Sequence, residues 1–97
     1  MRITTKQRRL LIEIARCERH EAAVRRKDGR VTIEAANTAG SVAFAAGVPE
    51  GSVLSALKRL EARGLVEKQP REHPGDFPYS TWGTRWRLTG VGQEALS

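Results

Sequence analysis

Residues 38–66 read TAGSVAFAAGVPEGSVLSALKRLEARGLV, and their pattern decides the fold. Stepping about 100° per residue from Val53, Val53, Ala56, Leu57 and Leu60 fall in one stripe, while Gly51, Ser55, Lys58, Arg59 and Ala62 fall on the other side. The first stripe is wholly apolar and needs a core to cover it. The second is small, polar and basic. The stretch before it predicts another helix: Thr38 is a suitable N-cap, Val42, Ala43 and Ala46 form a small apolar face, and Gly47-Val48-Pro49 breaks the chain. Gly47 supplies the positive φ that ends a helix, and Pro49 suits the first position of the next, where a missing N–H costs nothing. The order of Ala43, Gly47, Val48 and Val53 (small, turn glycine, apolar, apolar) lets two helices cross closely around a tight turn.

Beyond this pair, Leu60-Glu61-Ala62-Arg63-Gly64-Leu65-Val66 ends the helix at a glycine and starts a strand, and Trp86-Arg87-Leu88-Thr89-Gly90-Val91-Gly92 closes a second strand and opens a last short helix. With these residues in place the chain resembles winged helix-turn-helix transcription regulators, in particular the PadR-like and MarR-like groups. GSVLSALKRLEARGLVE, residues 51–67, resembles a PadR-type recognition helix with its first wing strand. RWRLTGVGQEAL, residues 85–96, resembles a second wing strand with its L-T-x-x-G-x-x-x-L exit. The resemblance covers residues 38–96 and implies an α+β fold, a winged helix-turn-helix with a three-helix core, a β-hairpin wing and a short C-terminal helix. Leu54 stands where PadR-like proteins usually place tyrosine, the acidic-x-Arg wing-tip signature of MarR-like proteins is absent, and the chain ends at Ser97, before the long dimerisation helices of both groups.

The rest of the chain fits one domain spanning residues 1–97. Thr5 to Lys27 predicts a long helix with Leu10, Ile14, Cys17 and Val24 on one line, Leu11 beside it and Ile12 pointing away, ended by the turn at Asp28-Gly29. Arg30 to Glu34 predicts a short strand with Val31 and Ile33 on one face. Residues 38–63 hold the helix-turn-helix and 65–89 the wing: strands over 65–71 and 82–89, and the breaker-rich EHPGDFPY loop at 72–79 between them. Trp82 and Trp86 are read as packing residues, and Leu96 is expected to pack back on the first helix.

Composition narrows the function. No apolar run approaches the ~20 residues of a membrane span, MRITTKQRR lacks the apolar segment of a secretory signal, and the single cysteine fits a reducing cytoplasm. The net charge is +6, which points to a polyanionic partner. Its distribution is uneven: residues 1–30 hold ten Lys/Arg against four Asp/Glu, and residues 31–97 hold seven of each. No nucleophile, base and orienter assemble and no Gly-rich phosphate loop occurs, so no enzyme is expected. Carboxylates are scattered along the chain and read as surface ion pairs. Cys17 and His20, three apart on a helix, could start a metal site only with distant help. Arg16 and Arg19 beside Cys17 would favour its thiolate. The reading adopted is a small buried cysteine and a solvated histidine, with no cofactor and no metal.

These features predict a sequence-specific double-stranded DNA-binding protein, a transcription regulator of bacterial, phage or plasmid origin, with helix 49–63 in the major groove. Ser52, Ser55 and Arg59 are candidates for base edges and Lys58 and Arg63 for phosphate. Arg71, His73, Arg85 and Arg87 would serve the wing. Arg25, Arg26 and Lys27, with Arg30, form either a phosphate clamp or a solvated helix end. A homodimer on a palindromic site is the usual arrangement for so short a reading head. Two alternatives stand beside this reading: an architectural or accessory DNA-binding factor, excisionase-like or replicative, and a winged-helix module that binds protein.

Overall fold

The computed structural model describes residues 2–29, 37–69 and 84–97. Helix α1, Thr5–Asp28, starts at a reciprocal cap. The Thr4 hydroxyl accepts the Gln7 N–H at 3.1 Å, and Gln7 Oε1 accepts the Thr4 N–H at 3.0 Å, so two otherwise orphaned donors are satisfied. Helix α2, Ala39–Ala46, begins at Thr38, whose hydroxyl accepts the Ser41 N–H at 3.2 Å. It ends at Gly47, φ +69°, where Val48 N–H donates to the Ala43 carbonyl at 3.1 Å and Gly47 N–H to the Phe44 carbonyl at 3.3 Å.

Helix α3, Glu50–Ala62, starts one residue later than the sequence predicts. Pro49 is extended (φ −62°, ψ 142°) and is the N-cap instead of the first helical residue, with no side-chain cap bond. Glu50 in the first turn supplies the negative charge that this end favours. The far end closes as α2 does, with Leu65 N–H on the Leu60 carbonyl at 3.0 Å, Gly64 N–H on the Glu61 carbonyl at 2.9 Å, and Gly64 at φ +76°.

Strands β1, Val66–Lys68, and β2, Trp86–Leu88, pair antiparallel with Val66 opposite Leu88 and Lys68 opposite Trp86. The predicted loop at 72–79, Trp82 and the predicted strand at 30–34 lie outside the described residues.

The first three helices and the hairpin share one core: Leu10, Leu11 and Ile14 from α1, Ala39, Val42 and Ala43 from α2, Val53, Leu57 and Leu60 from α3, with Leu65, Val66, Trp86 and Leu88 from the hairpin. Ile12 points outward as predicted, and Val24 is half-buried. Leu96 packs against this core, and α1 holds the chain's end directly, because Arg8 donates to the Ala95 and Leu96 carbonyls at 3.3 and 3.4 Å.

Helix α4, Gly90–Ala95, is too short to stand alone. Thr89 locks it to the end of α3: its hydroxyl accepts the Gly92 N–H at 3.0 Å and donates to the Gly64 carbonyl, and its own N–H donates to the Leu65 carbonyl at 3.1 Å. Gly92 allows this approach, since a Cβ built there would lie 2.0 Å from the Leu65 carbonyl oxygen. Gly92→Ala is therefore expected to cost about 3 kcal/mol, the upper part of the overpacking range, because a backbone atom, not a yielding side chain, is in the way. Urea denaturation checks this, and a loss below about 0.5 kcal/mol would show that α4 can slide off the Leu65 backbone at no cost.

Candidate nucleic-acid interface

The outward face of α3 is built from the residue types its sequence offers. Gly51 and Ala62 keep the backbone accessible, and Ser52, Ser55, Lys58 and Arg59 are all exposed between them. None of these four side chains is held by a hydrogen bond or an ion pair among the described residues. The opposite face is anchored by Val53, Leu57 and Leu60, each at most 3% exposed, so the helix presents a fixed polar surface on a rigid support.

The other predicted contact residues have different surroundings. Arg63 braces the N-terminal segment, donating from Nη1 to Gln7 Oε1 at 2.9 Å and from Nη2 to the Arg2 carbonyl. Arg87 pairs across the hairpin with Glu67 at 2.7 Å, both half-exposed. Arg26 and Lys27 are exposed in the last turn of α1, whereas Arg25 is half-buried. Arg71, His73 and Arg30 lie outside the described residues.

Arg85 belongs to a buried junction that the sequence reading missed. Its guanidinium donates to Glu21 through Nε at 3.0 Å and Nη2 at 2.7 Å, with the two side chains only 9% and 6% exposed. Glu21 also accepts the Asn37 N–H, while Asn37 Nδ2 donates to the Trp86 carbonyl at 2.7 Å and the Ile14 carbonyl at 3.4 Å. A bridge between Thr38 and Arg85 and the Trp86 N–H on the Asn37 carbonyl at 2.8 Å complete it. The junction thus ties α1, the start of α2 and the base of β2 into one unit. The reading of all carboxylates as surface ion pairs is corrected here: the Glu21 carboxylate is buried, and its arginine partner is 64 positions away.

Cys17 is half-buried and packs against the core. Burial pushes its thiol above the usual range, Glu13, Glu21 and Glu18 push the same way, and only Arg16 opposes them. The prospect of a thiolate favoured by Arg16 and Arg19 is therefore reversed, and the side chain behaves as a small apolar packing residue. Glu18 is likewise raised by burial, partly offset by the Leu88 backbone and by Arg87. His20 is exposed, and among the described residues no three His, Cys, Asp or Glu side chains gather as a metal site. No described helix is long and apolar enough to cross a membrane.

Three helices packed on one core, a two-stranded antiparallel hairpin directly after the third and a short helix leaving its second strand are an arrangement found in solved structures. Two mutant forms of MepR from S. aureus match with a TM-score of 0.63 and 19% identity over 97% of this chain, one of them from a multidrug-resistant clinical isolate. A third mutant form matches at the same score over 99% of it. MepR is a winged-helix regulator of the MarR family. The fold is a winged helix-turn-helix. The chain spans about half of the MepR chains, 52–53% of their length. Neither a family model nor a curated protein matches the sequence. In the winged helix, α2 and α3 are the helix-turn-helix pair and β1 and β2 the base of the wing. The Glu21–Asn37–Arg85 junction sits where the wing base meets both α1 and the start of the pair.

Proposed function

We propose that this chain is a sequence-specific double-stranded DNA-binding protein, a cytoplasmic transcription regulator of bacterial, phage or plasmid origin and not an enzyme, which reads the major groove with α3. The observation that carries this reading is the outward face of α3, where Ser52, Ser55, Lys58 and Arg59 are exposed and uncommitted on a helix whose other face is locked into the core. Small hydroxyls allow close approach and bond either base edges or phosphate, while a guanidinium forks to the O6 and N7 of guanine. Ser52, Ser55 and Arg59 are assigned to base edges and Lys58 to phosphate. Arg87 and the wing residues Arg71 and His73 are assigned to the flanking backbone. Arg63 and Arg85 were sequence candidates for the same role, and their present bonds direct them to holding the reading head instead. Homodimerisation on an inverted repeat would give such a head the reach of two half-sites.

A second reading is favoured by one specific observation. Phe44 is 91% exposed, and Val48 and Leu54, at the turn and on α3, are 44% and 39% exposed. An apolar rim beside the recognition helix suits a protein partner more than a phosphate backbone. Selection of bound sequences from a random DNA pool separates the possibilities. A sharp inverted repeat supports the regulator, broad or shape-only enrichment supports an architectural factor, and no enrichment supports the protein-binding module.

Within the regulator reading, Arg59→Ala is expected to relax preference at one base position per half-site by about 1–3 kcal/mol while leaving random-sequence binding nearly intact. Binding titrations on the selected site and on single-base variants measure this. Equal losses on every sequence would reassign Arg59 to phosphate contact.

A further inference from the structure

The positive charge of this chain is concentrated away from α3, and the structure places it on one face. Counting about 100° per residue along α1, Arg9, Ile12, Arg16, Arg19, Arg26 and Lys27 project within a sector opposite Leu10, Leu11 and Ile14, and all six are exposed. Arg16 shares its charge with Glu13 at 3.2 Å, but Arg9, Arg19, Arg26 and Lys27 make no ion pair among the described residues. From Arg9 to Lys27 the stripe runs about 27 Å at ~1.5 Å per residue, the length over which one DNA strand presents about eight phosphates. Helix-end electrostatics account for Arg26 and Lys27 only, because the dipole acts within the last turn. Arg9 and Arg19 lie outside it.

We propose that the outward face of α1 is a second binding surface, sequence-independent, for the phosphate backbone of duplex DNA. α1 and α3 turn their apolar stripes to the same core, so their outward faces diverge, and the duplex on α1 is a segment other than the one facing α3. Charge complementarity selects this occupant. An anionic membrane surface would also attract the arginines, but an interfacial helix inserts a broad apolar face. Here that face is spent on the core, leaving Ile12 at 37% exposure as the large apolar residue of the stripe. Holding two segments at once rests on the α3 reading, whereas DNA binding by α1 does not.

The test uses the full chain and a random-sequence duplex, with fluorescence anisotropy across a range of salt concentrations. The variant Arg9→Gln/Arg19→Gln/Arg26→Gln/Lys27→Gln is expected to flatten the slope of log K against log salt by about 2–4 units, at about 0.9 per lost contact. Replacing the three arginines by lysine should preserve the slope, since attraction to phosphate needs charge and not a fork. Protein carrying Lys58→Gln/Arg59→Gln should still bind the random duplex through α1, yet fail to capture a second labelled duplex when seated on an immobilised one. If that variant loses nothing while the α1 variant loses everything, the α3 reading falls and the α1 surface stands. A slope unchanged in a glutamine variant that melts like the parent overturns the proposal. So does loss of binding to phosphatidylserine-containing vesicles without loss of DNA binding. A dimer in sedimentation that the glutamine variant alone dissociates overturns it too, by making the face an interface between copies.

Discussion

Glu21→Ala is expected to lower the unfolding free energy by about 3–5 kcal/mol, the cost of breaking a buried pair by removing one partner. Both side chains of the pair are nearly inaccessible, so solvent screening does not reduce the figure, and Arg85 would be left without its bidentate acceptor. The Asn37 N–H, which also ends on this carboxylate, would be stranded with it. For a domain whose total stability lies in the usual range of about 5–15 kcal/mol, this is a large fraction. Because the junction joins the wing base to the start of the helix-turn-helix, the proposed DNA binding should fall in step with the folded fraction. Chemical denaturation of Glu21→Ala, Arg85→Ala and the double variant forms the cycle. A double variant much less damaged than the sum of the singles is the expected result, and a loss below about 1 kcal/mol for Glu21→Ala would place the pair among ordinary surface contacts.

Leu57→Ala should cost about 2–5 kcal/mol, as truncation of a fully buried leucine does. Leu57 has no exposed surface and lies between Val53 and Leu60 on the buried stripe of α3. At about 4–8 °C per kcal/mol for a domain of this size, the melting temperature should drop by at least about 8 °C. Lys58→Ala, one position on and exposed, should stay within about 0.5 kcal/mol of the parent in stability. Leu57→Ala melting like the parent would mean that the two faces of α3 are assigned the wrong way round.

The outward face of α3 was legible because helical periodicity is local. The spacing of Val53, Leu57 and Leu60 and the breakers at Gly47 and Gly64 leave only one way to bury the stripe, and Ser52, Ser55, Lys58 and Arg59 then face outward. The one-residue error at Pro49 came from the same local logic, since proline serves both the last extended position and the first helical one. The bonds made by Arg63, Arg85 and Glu21 were not legible, for another reason. Their partners stand 56 to 64 positions away, and residue type alone does not distinguish an arginine that reaches solvent from one that reaches a distant carboxylate or amide.

The sequence by itself determined the order of the described helices and strands, the turn glycines that end α1 and α2, the core stripe and the outward face of α3, because caps, turn glycines and amphipathic periods act over a few residues. It also determined that the charge lies in the first thirty positions. Only the tertiary structure decided which cations are available. Packing α1 against β2 buries Arg85 on Glu21, folding the N-terminal segment over α3 occupies Arg63, and the antiparallel register brings Arg87 to Glu67. Those pairings follow from chain closure over long separations, where burial supplies the driving force and no local pattern records the partner.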